Sequence, residues 1–227
     1  MAAAQLAAVA LLADDANAGK VRVLGAAKSV DASCPDDCVV EARVTGFQTR
    51  IGARKRPFRV PAAGRIVAWS IKLGRPSKRH LGFFNRSFGR SRARISILKP
   101  TRVRTKSGKR KLRFKLRRQS PVQKLQHFFG ETTSFGLRRP LKVRKGNVVA
   151  LTIPTWAPAF SVGLDRARWR ASRRATKSDG PCANKSGFAN VDAGEPQTRK
   201  GGLRWYGCFY SDARLLYSAR FVPVKRG

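Results

Sequence analysis

The segment from Lys111 to Arg117 alternates strictly between basic and apolar residues. Successive side chains of a β-strand point to opposite faces, so this period of two predicts a strand. Its apolar face carries Leu112, Phe114 and Leu116, which we expect in the core, and the bases between them face solvent. A turn at Ser107-Gly108 would join this strand to the preceding basic stretch. The pattern therefore predicts a β-hairpin with one charged face.

Similar alternation recurs along the chain. Val67, Trp69, Ile71 and Leu73 share one predicted strand face in the segment from Arg65 to Gly74. Shorter strand patterns lie at Val39 to Val44, at Ile95 to Leu98 before Pro100, on both sides of a Gly146-Asn147 turn between Leu137 and Pro154, near Leu203 to Tyr210, and at Arg214 to Val222. Short strands at roughly ten-residue spacing, separated by Gly, Pro and Asn, predict an all-β fold, a single β-sandwich.

Two segments depart from the strand pattern. From Ser77 to Phe88, the residues Leu81, Phe84 and Phe88 share one helical face, which predicts a short helix that caps an open end of the sandwich. Residues 173–202 are polar and aperiodic and predict a long loop pinned by Cys182. With 227 residues and 42% hydrophobic residues, the chain is long enough for one domain with a substantial core.

Residues 1–18 have the features of a signal peptide. Leu6 to Ala13 is a short apolar run, and Ala16-Asn17-Ala18 offers small residues before Gly19. The mature domain would then comprise residues 19–227. No Lys or Arg precedes the apolar run, which leaves two alternatives: a true start upstream of Met1, or an alanine-rich helix of the folded chain. The run is too short to span a bilayer about 30 Å thick.

The four cysteines also indicate export. We expect disulfides Cys34–Cys38 and Cys182–Cys208, because each pair is local and the second could bridge neighbouring strands. A zinc site is the alternative, but the chain has no CxxC pair and no histidine close to a cysteine. The cysteines and the predicted signal peptide together predict a secreted or cell-envelope protein.

The chain carries 49 Lys and Arg residues against 12 Asp and Glu residues, a formal net charge of +37. Such a charge attracts polyanions, and eleven of the twenty residues from Lys99 to Arg118 are basic. The predicted binding residues are Arg102, Arg104, Lys106, Lys109, Arg110, Lys111, Arg113, Lys115, Arg117 and Arg118. The expected partner is an anionic polymer: a wall polymer, an acidic polysaccharide or nucleic acid, with contact to an anionic membrane surface a further option. The alternative is a solvated face that keeps an edge strand from aggregating.

Catalytic machinery is not visible in the sequence. The two histidines, His80 and His127, lie in polar or basic surroundings, and no Gly-x-Ser-x-Gly motif occurs. No two carboxylates have the i, i+2 spacing that would place them on one strand face, and no phosphate-binding glycine loop is present. We therefore expect a binding protein without catalytic residues, cofactor or metal.

Two other functions fit parts of the sequence. Trp156, between Thr155 and Ala157, is the tryptophan that we expect to be exposed, and an exposed ring beside polar groups could stack on a sugar in a carbohydrate-binding module. An intracellular RNA-binding protein would share the charge. It would not be expected to have an export signal and four cysteines suited to disulfides.

Two patterns carry a resemblance to known proteins. They are Phe58-x-Val-Pro-x-x-Gly64-x-Ile-Val-x-Trp69 and Leu141-x-Val-x-x-Gly146-x-Val-Val-x-Leu151. Both resemble the jelly-roll layout of extracellular binding modules, and the stretch from Leu151 to Phe160 is similar to segments of uncharacterised exported proteins of high-GC actinobacteria. The resemblance covers about a fifth of the chain and implies a jelly-roll-like β-sandwich. It transfers no activity and no functional residue.

Overall fold

The computed structural model describes residues 19–104, 110–175, 179–182 and 188–224. Within these residues the chain forms sixteen β-strands, the helices α1 (Lys78–Phe88) and α2 (Phe188–Ala193), and a 3-10 helix at Gln126–Phe128. The strands are β1 (Arg22–Leu24), β2 (Glu41–Ile51), β3 (Arg54–Lys55), β4 (Gly64–Lys72), β5 (Arg92–Arg104), β6 (Arg110–Gln119), β7 (Gln123–Lys124), β8 (Thr132–Val143), β9 (Val148–Ala157), β10 (Phe160–Val162), β11 (Arg168–Ala171), β12 (Gly180–Pro181), β13 (Leu203–Trp205), β14 (Cys208–Ser211), β15 (Ala213–Leu215) and β16 (Tyr217–Pro223).

The strands build two principal sheets. The small sheet has the order β1-β16-β4-β8, and the large sheet has the order β12-β14-β11-β2-β9-β5-β6-β13, with β3 added to β2 and β7 added to β5. A separate pair, β10 and β15, completes the described strands. Buried residues of both sheets form one hydrophobic cluster. The predicted all-β sandwich is confirmed, and the jelly-roll layout stays a prediction.

Trp69 lies in the core between the sheets. Its side chain is fully buried, as expected, and its ring centroid lies 4.8 Å from that of Phe135. The hydroxyl of Tyr217 in β16 donates a hydrogen bond of 3.0 Å to the carbonyl of Val149 in β9. This bond ties the small sheet to the large sheet across the core. A register shift between Ile66 and Ala68 makes Ile66, rather than the predicted Val67, a fully buried core residue, because a bulge exchanges the faces of a strand.

Two prolines that we expected to end strands lie inside them. β5 continues beyond Pro100 to Arg104, and after Leu98 it pairs with β6 but no longer with β9, so one side of the strand needs no N–H donor there. β9 continues beyond Pro154 to Ala157. Pro154 lies opposite a register shift in β2, where Arg43 has a φ of +45°. In both strands the proline occupies a position where the regular pairing is already interrupted.

The predicted Gly146-Asn147 turn exists, but it is a corner between the sheets and not a hairpin. Asn147 donates its N–H to the carbonyl of Arg144 at 3.0 Å and accepts the N–H of Arg144 on Oδ1 at 3.0 Å. Gly146 has a φ of +86°, a conformation that favours glycine. The corner takes the chain from β8 in the small sheet to β9 in the large sheet.

A second hydrophobic cluster lies on the outer face of the large sheet, since Ala150 belongs to it whereas Val149 and Leu151 face the core. Tyr206 belongs to this cluster, and the buried Gln197 lies beside it. The Gln197 amide nitrogen donates to the carbonyls of Phe114 at 3.0 Å and Gly202 at 2.8 Å, and its amide oxygen accepts the Tyr206 hydroxyl at 2.7 Å.

Two short elements interrupt the predicted long loop over residues 173–202 in its described part. That part contains β12 and α2, and Arg173 and Gln197 are buried in it. Polar side chains can anchor a segment in this way when every donor and acceptor finds a partner. Such anchors carry no hydrophobic periodicity, so the sequence pattern did not show them.

Helix α1 agrees with the prediction: Ser77 is its N-cap, with the Ser77 hydroxyl accepting the N–H of His80 at 3.2 Å. Both expected disulfides, Cys34–Cys38 and Cys182–Cys208, are present, and the second joins the end of β12 to its parallel neighbour β14. In the described part of the chain no helix is long and apolar enough to cross a membrane.

We expect Gln197→Ala to lower the free energy of unfolding by about 2–4 kcal/mol, because the Phe114 carbonyl and the Tyr206 hydroxyl lose their Gln197 partner and the Gly202 carbonyl keeps only the N–H of Leu116. The neighbouring exposed residue Thr198 provides the control, and Thr198→Ala should stay within about 0.5 kcal/mol of the wild type. Urea unfolding of the disulfide-intact proteins measures both. Equal midpoints for the two variants would contradict the anchoring role of Gln197.

Candidate functional site

A groove of about 660 Å³ opens beside the second hydrophobic cluster, and basic side chains surround it. Phe47, Leu112 and Phe114 contribute apolar surface to it. One acidic residue, Asp179, lines it. Seven basic residues line it, and together they define what we call the basic groove: Arg50, Lys55, Arg56, Arg59, Arg113, Arg168 and Arg170.

The tight turn between β2 and β3 forms one rim of the basic groove. Arg50 pairs with Lys55 across this turn, and Gly52 within it has a φ of +56°. The N–H of Arg56 then returns to the carbonyl of Thr49 at 2.8 Å. The turn therefore brings Arg50, near the end of β2, next to Lys55 in β3.

Arg59 extends the same rim. Its backbone bridges to Val148 at the start of β9, and its guanidinium lies near the Gly146 corner. The side chains of Lys55, Arg56 and Arg59 are exposed, and within the described ranges none of them forms an ion pair with a carboxylate. These three cations are available to an external anion.

The opposite side of the basic groove belongs to β11, where Arg168 and Arg170 flank the buried Trp169. The guanidinium carbon of Arg168 lies 3.8 Å from the centroid of the Phe209 ring. Arg170 donates to the carbonyl of Gly207 at 2.5 Å and to a carboxylate oxygen of Asp179 at 2.5 Å. Both arginines are therefore held in fixed orientations.

The last of the seven basic residues of the groove is Arg113, which lies in β6. It lies opposite Trp205 in the pairing of β6 with β13, and its guanidinium carbon is 5.1 Å from the centroid of the Trp205 ring. Strand β6 is thus covered by another strand at residues 113–115. The interpretation of its charges as protection of an open strand edge does not apply to that stretch.

The predicted hairpin is present as β5 and β6, which pair up to Arg104 and Arg110. Of the ten predicted binding residues, Arg113 lines the basic groove, while Lys115 is half-buried and Arg117 and Arg118 are exposed outside it. Lys106 and Lys109 lie outside the described residues, as do the side chains of Arg102, Arg104, Arg110 and Lys111.

Sequence reasoning missed six of the seven groove residues, although signals for them exist. Five of the ten residues from Arg50 to Arg59 are basic, so this segment is a second charge cluster. Arg166, Arg168 and Arg170 alternate with apolar residues in the same way as the Lys111 segment. Nothing in the sequence, however, shows that these segments meet, because β2 and β11 are far apart in the chain.

The expectation that Trp156 is exposed is wrong. Its side chain is 0% exposed, and its indole N–H donates to the carbonyl of Gly89 at 2.7 Å. Its ring packs between Phe84 of α1 and Phe129, with centroid separations of 4.9 and 5.5 Å. Helix α1 covers the position, so Trp156 offers no surface for a sugar ring.

No three His, Cys, Asp or Glu side chains in the described ranges are grouped so that they could hold a metal ion. Comparison of the chain with protein-family models, with curated proteins and with solved structures finds no match. The function is therefore argued from the charge and geometry of the site.

We expect Trp156→Ala to destabilise the fold by about 3–5 kcal/mol, the usual cost of emptying a buried aromatic site. Trp156→Phe keeps most of the packing but loses the hydrogen bond to Gly89, so its effect should be smaller. Thermal or urea unfolding of both variants checks this order. A Trp156→Ala variant as stable as the wild type would contradict the burial of this ring.

Proposed function

We propose that the protein is an extracytoplasmic, non-catalytic binding protein that holds an anionic polymer in the basic groove. The observation that carries this proposal is the composition of the groove, which has seven basic residues and one acidic residue. Asp179 already pairs with Arg170, so at least six positive charges in the groove have no carboxylate partner in the described part of the chain. Like charges assembled in this way repel one another, and a bound polyanion would relieve that repulsion.

The basic groove combines two kinds of cation. Lys55, Arg56 and Arg59 are exposed and can adjust to the spacing of phosphate or sulfate groups. Arg113 and Arg168 are oriented on aromatic rings, so binding would immobilise less of their side-chain freedom. Guanidinium groups presented in fixed orientations suit the bidentate recognition of phosphate, sulfate and carboxylate oxygens.

The two disulfides indicate an oxidising compartment, since such bonds are rare in the reducing cytosol. They support secretion, for which the predicted signal peptide over residues 1–18 would provide the route. Anionic polymers found outside the cytosol include wall polymers, acidic polysaccharides and released nucleic acid. An intracellular RNA-binding role fits the charge but not the disulfides.

The groove proposal predicts the effect of replacing Lys55, Arg56 and Arg59 together by Gln. Removing three phosphate or sulfate contacts should reduce the slope of log affinity against log salt by about 2–3 and weaken binding about 10- to 100-fold at low salt. The matched control replaces Arg138, Arg139 and Lys142 of β8 by Gln, three exposed bases on the small sheet. Both variants lose three positive charges. A difference in affinity between them therefore reports the position of the charges and not the net charge.

The measurement is a fluorescence-anisotropy titration across a salt series with a polyglycerol-phosphate polymer, a sulfated polysaccharide, duplex DNA and neutral dextran. The proposal expects salt-dependent binding of at least one polyanion, no binding of dextran, and a loss confined to the groove variant. An equal loss in the two triple variants would mean that net charge alone drives binding. The relative affinities of the three polyanions identify the polymer class.

A further inference from the structure

A second pocket, of about 340 Å³, lies on the other side of β11 from the basic groove. Helix α1 supplies Phe83, Phe84 and Phe88 to one wall. Trp169 and Tyr210, whose rings stack with centroids 4.8 Å apart, supply another. We call this cavity the Glu41 pocket. Its volume suits a small molecule and not a polymer segment.

Two charged groups line the Glu41 pocket, Glu41 from β2 and Arg173, which follows β11. They form no direct ion pair, although Arg173 is 4% exposed and donates from Nη2 to the Tyr210 hydroxyl. The Nε of Arg173 is buried and has no hydrogen-bond partner among the described residues. Arg173 therefore lines the cavity without a carboxylate partner in the described part of the chain, and an anionic ligand would supply the missing negative charge.

The protonation of Glu41 decides the sign of charge in the pocket. Burial raises the pKa of the Glu41 carboxyl to about 8, although the charge of Arg173 acts in the opposite direction. Glu41 is therefore mainly neutral at pH 7 and can donate a hydrogen bond, while Arg173 remains charged. Tyr210 is neutral as well, since burial raises the pKa of its hydroxyl.

Few other charged groups lie close to the Glu41 pocket. Arg43 of β2 lies outside the lining, with its guanidinium carbon 5.5 Å from the centroid of the Phe88 ring. On α1, Arg79 and Arg86 are exposed and His80 does not line the cavity, and Asp192 of α2 is exposed. Within the described residues the net charge of the lining at pH 7 is thus that of Arg173.

We propose that the Glu41 pocket binds a small monocarboxylate with an aromatic or aliphatic body. The carboxylate would accept hydrogen bonds from the Arg173 guanidinium and from the protonated Glu41 carboxyl, and its apolar body would lie between the α1 phenylalanines and the Trp169–Tyr210 pair. The site is separate from the basic groove, and the proposal does not depend on polymer binding.

The test is a ligand-observed NMR titration with phenylacetate, hexanoate, phenylacetamide and phenethylamine at pH 7. We expect the two carboxylates to bind about 10- to 100-fold more tightly than the neutral amide, and the amine to bind least, because the carboxylate makes charge-assisted hydrogen bonds. Equal affinity for phenylacetate and phenylacetamide, or no binding of any probe at millimolar concentration, would overturn the proposal.

Substitutions test whether phenylacetate binds in the Glu41 pocket. Val39 lines the pocket and is 36% exposed, so Val39→Trp should fill the cavity and weaken phenylacetate binding more than tenfold without unfolding the protein. Val162, which is 43% exposed on β10 and does not line the pocket, provides the matched Val162→Trp control. The Lys55, Arg56 and Arg59 triple variant should bind phenylacetate normally. If Val39→Trp binds as the wild type does, or the triple variant loses binding, the ligand sits elsewhere.

The pH profile tests the role of Glu41 itself. Above about pH 8 the ionised carboxylate repels the ligand, so wild-type affinity should fall about tenfold per pH unit, whereas Glu41→Gln should bind equally at pH 7 and pH 9.5. Arg173→Gln should lose the preference for carboxylate over amide, and unfolding curves establish whether that variant folds. A parallel decline with pH in the wild type and Glu41→Gln would contradict the pairing of Glu41 with the ligand.

Discussion

The side chain of Gln197 ties the segment 194–207 to β6 of the large sheet, and that segment contacts residues of both candidate sites. The attached segment brings the Trp205 ring to Arg113 and the carbonyls that accept hydrogen bonds from Arg170. It also carries the residues that bridge to the Arg173 backbone at the second pocket. Every polar group of the Gln197 side chain has a partner, which is the condition under which a buried amide stabilises a fold rather than weakening it.

A chain with a formal charge of +37 and 12 acidic residues cannot neutralise its arginines with carboxylates. The described residues instead place guanidinium groups on aromatic rings and backbone carbonyls: Arg168 stacks on Phe209, and the largely buried Arg214 donates to the carbonyl of Lys28 at 2.9 Å. Burial lowers the pKa of Arg214, but a guanidinium remains protonated near neutral pH. Aromatic and carbonyl contacts hold these groups in place and leave their positive charge uncancelled.

Local sequence patterns predicted the sandwich, helix α1, the β5–β6 hairpin and both disulfide pairs, because alternation, capping and short-range pairing are properties of neighbouring residues. They failed at Pro100, where one neighbouring strand is missing, and at Pro154, which lies opposite a bulge. At both positions a proline costs no regular strand pairing. They failed also at Trp156, because the helix that covers it lies some seventy residues earlier in the chain. Each failure concerns what packs against a residue, and that information is not local.

The sequence by itself determined the class of fold, the cysteine pairs suited to disulfides, and a formal net charge of +37. The tertiary structure decided which charges act together: the bases of the β2–β3 turn, of β6 and of β11 converge on one groove, while Arg117 and Arg118 of the predicted hairpin point elsewhere. It also decided that Glu41 and Arg173, separated by 132 positions, line one cavity without forming an ion pair. The physical reason is that Coulomb forces and burial depend on distances in space, which strand pairing fixes, and not on separation along the chain.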